Sequence, residues 1–150
     1  MNWTTTGHNN SKKYFENVVK QSVLSHAYIF CGPEGIGKKI FAHDIFRLVN
    51  GREPEGDPDF KLLTPRLEDD ETKIYIEDIR DLKSYLSLKP YYGPYKFVVI
   101  NDADRLVPEA SNAMLKLLEE PSPFTVIILI SSKPKLILPK PMMSWFARWK

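Results

Sequence analysis

Between residues 32 and 39 the chain reads GPEGIGKK, which has the spacing of a loop that grips phosphate. In that pattern, G-x-x-x-x-G-K-[ST], glycines let backbone N–H groups converge on an anion, and the following helix adds the positive end of its dipole. Gly32, Gly35 and Gly37 supply the glycines, and Lys38 stands where a lysine reaches the terminal phosphates of a nucleotide. The next position calls for a hydroxyl that holds magnesium, and it is Lys39.

Such a loop hydrolyses nucleotide only with a second part, an apolar strand that ends in two carboxylates. One orients the metal and the other the attacking water. The run KFVVI at 96–100 is such a strand, and it leads into NDAD. Aligned on the apolar run, Asn101 takes the metal-orienting place and Asp102 the water-activating one. Asparagine is uncharged and a poorer partner for magnesium and its waters.

Both departures act in one direction. Lys39 puts an ammonium where a divalent cation would sit, unfavourable by several kcal/mol at ~4 Å even with effective screening. Asn101 removes an anion that would favour the ion. Metal-dependent turnover is therefore not expected, no residue is assigned a catalytic role, and no metal or other cofactor is required. Weak ATP or ADP binding without turnover stays open, with Lys39 neutralising phosphate charge in place of magnesium.

The elements that must hold these residues follow from periodicity. Apolar residues at helical spacing predict helices over 12–24, with Ser11 as cap, over 38–49, over 76–86, and from Pro108 to the stop at Pro121. Short apolar runs predict buried strands at 27–31, 96–100 and 125–130, and a brief strand is expected at 60–64. Strands alternating with helices of this length imply an α/β domain with a mostly parallel sheet flanked by helices. The acidic run at 68–71 is expected to be a solvated loop. The tyrosines at 91, 92 and 95 are expected to cover the sheet end, and His26 to be a packing or hydrogen-bonding histidine beside the first strand.

Composition bounds the rest. At 150 residues, 43% hydrophobic and 27% charged, the chain suits one globular domain. A net charge of +2 does not by itself imply nucleic acid. The single cysteine, Cys31, excludes an internal disulfide and a four-cysteine zinc site, and its apolar neighbours predict an inert buried thiol. No apolar segment approaches the ~20 residues that span a bilayer. The first ten residues lack a secretory pattern, so a cytoplasmic location with no membrane partner is expected.

The stretches SHAYIFCGPEGIGKK, KPYYGPYKFVVINDADRL and EASNAMLKLLEEPSPFTVIILISSKP resemble the delta-prime subunits of the bacterial DNA polymerase III clamp loader over residues 7–139. The helix-to-strand turn in ASNAMLKLLEEPSPFTVIILIS is the most specific part. The resemblance implies an AAA+ fold of the P-loop NTPase class, a RecA-like parallel sheet in order 5-1-4-3-2, over domain 1–139. It implies a stator that packs against ATPase subunits and a delta-like subunit, in a ring that loads the sliding clamp onto primed DNA. It also places Ser131 at a sensor position, and Gly7-His8 near the nucleotide base. The alternative is an active clamp loader ATPase subunit of the same superfamily.

Three departures accompany it. Many relatives carry a four-cysteine zinc module after the first core helix, and residues 46–57 have none. The chain reads PKPMMSWFARWK where the family has a Ser-Arg-Cys motif, and the flanks of Arg148 do not match it. Lid and collar domains are not expected within this length. Residues 140–150 are expected to be an atypical, irregular tail that removes the fifth strand and leaves a sheet edge open.

Overall fold

The computed structural model describes residues 3–133 and 147–149. Helix α1 (Asn9–Lys20) precedes strand β1 (Ala27–Cys31), and α2 (Lys38–Asn50) follows the glycine loop. Next come β2 (Phe60–Leu63), the hairpin β3 (Arg66–Glu68) and β4 (Glu71–Lys73), and α3 (Ile76–Leu86). Strand β5 (Lys96–Ile100), a 3₁₀ turn (Ala103–Arg105), α4 (Pro108–Glu119), β6 (Thr125–Ser131) and β7 (Ala147–Trp149) complete the order.

The main sheet is parallel, in order β2-β5-β6-β1-β7. Numbered within the sheet alone, that is the 5-1-4-3-2 order the resemblance implies. Strands β1, β5 and β6 are buried along their whole length, because helices cover both faces. Side chains alternate between the two cores, as a period of two requires. Ile29, Val98, Ile100, Ile127 and Leu129 pack under α3 and α4, against Ile79, Leu82, Met114 and Leu118. Tyr28, Phe30, Phe97, Val99 and Ile128 pack under α1 and α2, against Phe15, Phe41, Ile45 and Phe46. Among the described residues no helix is long and apolar enough to cross a membrane.

Several expectations are corrected. Helix α1 starts at Asn9, after His8 in the left-handed region, so Ser11 lies inside the helix and does not cap it. It stops at Lys20 because Ser22 turns left-handed and the Val23 N–H reaches back to the Val18 carbonyl at 2.9 Å, closing the helix end. The acidic run is not a plain loop. Asp69 and Asp70, with φ of 52° and 62°, are the two central residues of a tight turn joining β3 to β4. His26 is exposed, and only its carbonyl serves the sheet, accepting from Ile127 at 2.9 Å.

Within the tail, Ala147–Trp149 is a strand, paired in parallel with Tyr28–Phe30 of β1. The tail is therefore not irregular throughout, and the fifth sheet position is filled. Three β-compatible residues past the last proline suffice for this pairing, whereas the prolines at 134, 139 and 141 lie before it. The other tail residues, 140–146 and 150, lie outside the described ones.

Residues 90–95 are pinned from below. The Asp59 carboxylate, fully buried, accepts the N–H groups of Tyr91, Tyr92 and Gly93 at 2.6, 2.8 and 3.0 Å. Arg52 donates to Asp59, to Asp57 and to the Gly93 carbonyl. The Asn50 side chain bonds both the N–H and the carbonyl of Tyr95. Of the three tyrosines only Tyr95 covers the sheet end; Tyr91 and Tyr92 are 74% and 64% exposed. With Leu88 and Phe124 they border a groove of about 930 Å³ at the end of the sheet opposite the glycine loop.

Candidate functional site

Three chain segments converge at the carboxyl ends of the central strands. The glycine loop leaves β1, the Asn101-Asp102 pair leaves β5, and Ser131 ends β6. Register brings them side by side: Cys31 lies opposite Ser131, and Ile100 opposite Leu129. The Gly32 N–H donates to the Ser131 carbonyl at 3.3 Å, so the loop starts as an extension of the ladder.

The loop's three glycines all take positive φ, and the requirement is plainest at Gly32 and Gly37. At Gly32, φ is 153° and a Cβ would come within 2.7 Å of Ile36 Cδ1. Gly37, with φ of 89°, is the residue from which α2 starts, its carbonyl accepting the Phe41 N–H at 2.9 Å. A side chain there would be strained by that left-handed backbone.

Lys38 is 7% exposed and its ammonium donates to the Gly32 carbonyl, so it folds back across its own loop. Lys39 is exposed, one residue into α2. Its charge lies near His43, whose imidazole pKa is held below the ordinary value, first by burial, with Lys39 adding to the effect and Glu55 opposing it. Asn101 is half-buried, with its N–H on the Leu63 carbonyl at 2.9 Å. Asp102 takes a left-handed backbone, φ 50°, and its carbonyl accepts from Arg105 to start the 3₁₀ turn.

Ser131 is buried, and its hydroxyl donates to Asp104 Oδ1 at 2.8 Å while accepting the Lys133 N–H at 2.8 Å. Asp104 is the carboxylate that the strand-end run brings to Ser131, and sequence reasoning missed it. In NDAD nothing distinguishes the acids until the 3₁₀ turn swings Asp104, the fourth residue after β5, toward β6. Asp44 is a second miss. It lies fully buried on α2, where helical periodicity announces only an apolar face.

Chemically, the loop can present N–H groups and a helix start to an anion once Lys38 leaves the Gly32 carbonyl. A magnesium ion does not fit the donor set, which has an ammonium in place of the hydroxyl and a neutral amide in place of the first carboxylate. Among the described residues no cluster of histidine, cysteine, aspartate or glutamate could hold a metal ion.

A parallel sheet with this strand order and a glycine loop between β1 and the next helix is a P-loop NTPase fold of the AAA+ type. The solved structure of a DNA polymerase III gamma subunit-related protein from Thermotoga maritima superposes with a TM-score of 0.74 at 25% identity, over 91% of this chain and 44% of that one. The RuvB branch migration motor of the same organism shares the fold, with a TM-score of 0.62 at 19% identity, over 95% of this chain and 44% of that one. The family described as DNA polymerase III, delta subunit, matches residues 7–140, and the chain belongs to it. Relatives include DNA polymerase III subunit delta' of Pseudomonas aeruginosa, 34% identical over 77% of this chain and 40% of that protein. The subunit delta' of Bacillus subtilis is 31% identical over 84% of this chain and 42% of its own length. Subunit tau of Bacillus subtilis is also 31% identical, over 87% of this chain and 25% of tau. The chain thus spans less than half the length of these relatives.

Proposed function

We propose that this chain is the AAA+ core of a delta-prime-like clamp loader subunit, a cytoplasmic stator without ATPase activity of its own. It packs against ATPase subunits and a delta-like subunit of the DNA polymerase III assembly, in the ring that loads the sliding clamp onto primed DNA. The observation that carries this reading is the paired change at the site, Lys39 and Asn101 on a loop whose glycines and Lys38 are all in place. The loop's shape serves packing and at most weak nucleotide binding. An active ATPase subunit is the second reading, and the similarity to tau is what favours it.

Titration of a fluorescent ATP analogue, with and without Mg²⁺, separates the two. The stator reading expects no binding, or binding of equal strength in both conditions, because the ion gains nothing from an ammonium and an amide. Affinity that rises about tenfold or more with Mg²⁺, roughly 1.4 kcal/mol, would support the ATPase reading instead.

A further inference from the structure

Residues 3–5 form a strap across α1 and α2 that ends beside Gly37, at the start of α2. Trp3 stacks on Phe41 of α2, ring centroids 5.4 Å apart, and its Nε1 donates to Glu16 of α1 at 2.8 Å. Lys12 of α1 donates to the Thr5 carbonyl at 2.5 Å. The Thr5 methyl lies 3.8 Å from the place a Cβ on Gly37 would occupy.

One carboxylate fixes this strap. Asp44, fully buried, accepts the Thr4 N–H at 3.2 Å, the Thr5 N–H at 2.9 Å and the Thr5 hydroxyl at 2.6 Å. It also accepts Arg47 Nη1 at 2.8 Å. Burial alone would raise the pKa of this carboxyl, but the bonds from Thr5 and Thr4 outweigh it and hold the group below its ordinary value. An apolar residue would have sealed the α2 face equally well. A carboxylate with directed backbone donors does more: it sets the position of Thr5 along the helix, and so its place beside Gly37.

We propose that Asp44 latches the N-terminal strap onto the glycine loop, so that residues 3–5 and residues 32–38 open and close as one unit. The strap then moves with the loop it lies beside. By reciprocity, whatever orders the loop also orders the strap. The latch does not depend on nucleotide binding. A ligand acting through it would rest on the weak-binding reading above.

Hydrogen–deuterium exchange on the full chain tests this. In Asp44→Asn, exchange of the Thr4 and Thr5 amides and of the loop amides is expected to rise together by about tenfold, the factor lost with one charge-assisted hydrogen bond. Amides of α4 are expected to keep their wild-type rates. Thr5→Val, which loses only the hydroxyl bond, is expected to raise both segments by a smaller factor, about threefold. If Asp44→Asn also speeds α4, the domain has opened globally and Thr5→Val decides the matter. Strap amides that speed up while the loop keeps its rate would overturn the proposal, as would unchanged rates in both. Added ATP reads the nucleotide question separately. Slowing of both segments in the wild type supports binding and the latch together, whereas no slowing removes nucleotide binding and leaves the latch to the rates without it.

Discussion

Asp59→Ala is expected to cost about 3–5 kcal/mol of stability, lowering the melting temperature by roughly 10 °C in a domain of this size. The carboxylate is fully buried and receives three successive backbone N–H groups, from Tyr91, Tyr92 and Gly93, as well as Arg52. Alanine would leave those donors without an acceptor. Each buried donor so stranded costs about 1–3 kcal/mol, less wherever water reaches it from the exposed Tyr91 side. Arg52 keeps Asp57 and the Gly93 carbonyl, which moderates its own loss. Consequences extend to β5, because the backbone carbonyl of Asp59 accepts the Phe97 N–H at 2.7 Å and so sets where that strand begins. Asp59→Asn keeps an acceptor but loses the charge, and a smaller drop is expected. Thermal melts of the three proteins check this; an alanine variant within ~1 kcal/mol of wild type would mean that the 90–95 turn holds itself.

The second large effect is a gain. Restoring the two altered positions together, Lys39→Thr with Asn101→Asp, is expected to make nucleotide binding depend on Mg²⁺, tightening it by about tenfold or more. The double change removes an ammonium and supplies the hydroxyl and carboxylate that a hard divalent cation prefers. Each single variant is expected to show less, since the remaining departure still disfavours the ion. Calorimetric titration of an ATP analogue with and without Mg²⁺ reads the effect. A double variant that stays indifferent to Mg²⁺ would shift the explanation to Lys38, whose ammonium already occupies the Gly32 carbonyl.

The sheet was readable in the sequence because its three central strands are buried on both faces and so appear as unbroken apolar runs. Helix α3 was equally plain, with Ile76, Ile79, Leu82 and Leu86 on one face. Elements set by backbone conformation were not readable. The left-handed His8 moved the start of α1, and the left-handed Asp69 and Asp70 turned a charged stretch into a hairpin. Strand β7 was hidden because the prolines before it outweigh three unremarkable residues that owe their conformation to pairing with β1. At the site, glycine and lysine positions follow from spacing, which is local information. The roles of Asp44, Asp59 and Asp104 arise from partners 39, 32 and 27 positions away in the chain, which no local pattern announces.

The proposed stator role requires that this P-loop fold does no hydrolysis. Its most direct test is phosphate release from ATP in Mg²⁺ by the purified chain, run beside Lys38→Ala. The stator reading expects the two proteins to release phosphate at the same background rate. Steady Mg²⁺-dependent release by the wild type, abolished in Lys38→Ala, would contradict it and make this chain a working ATPase.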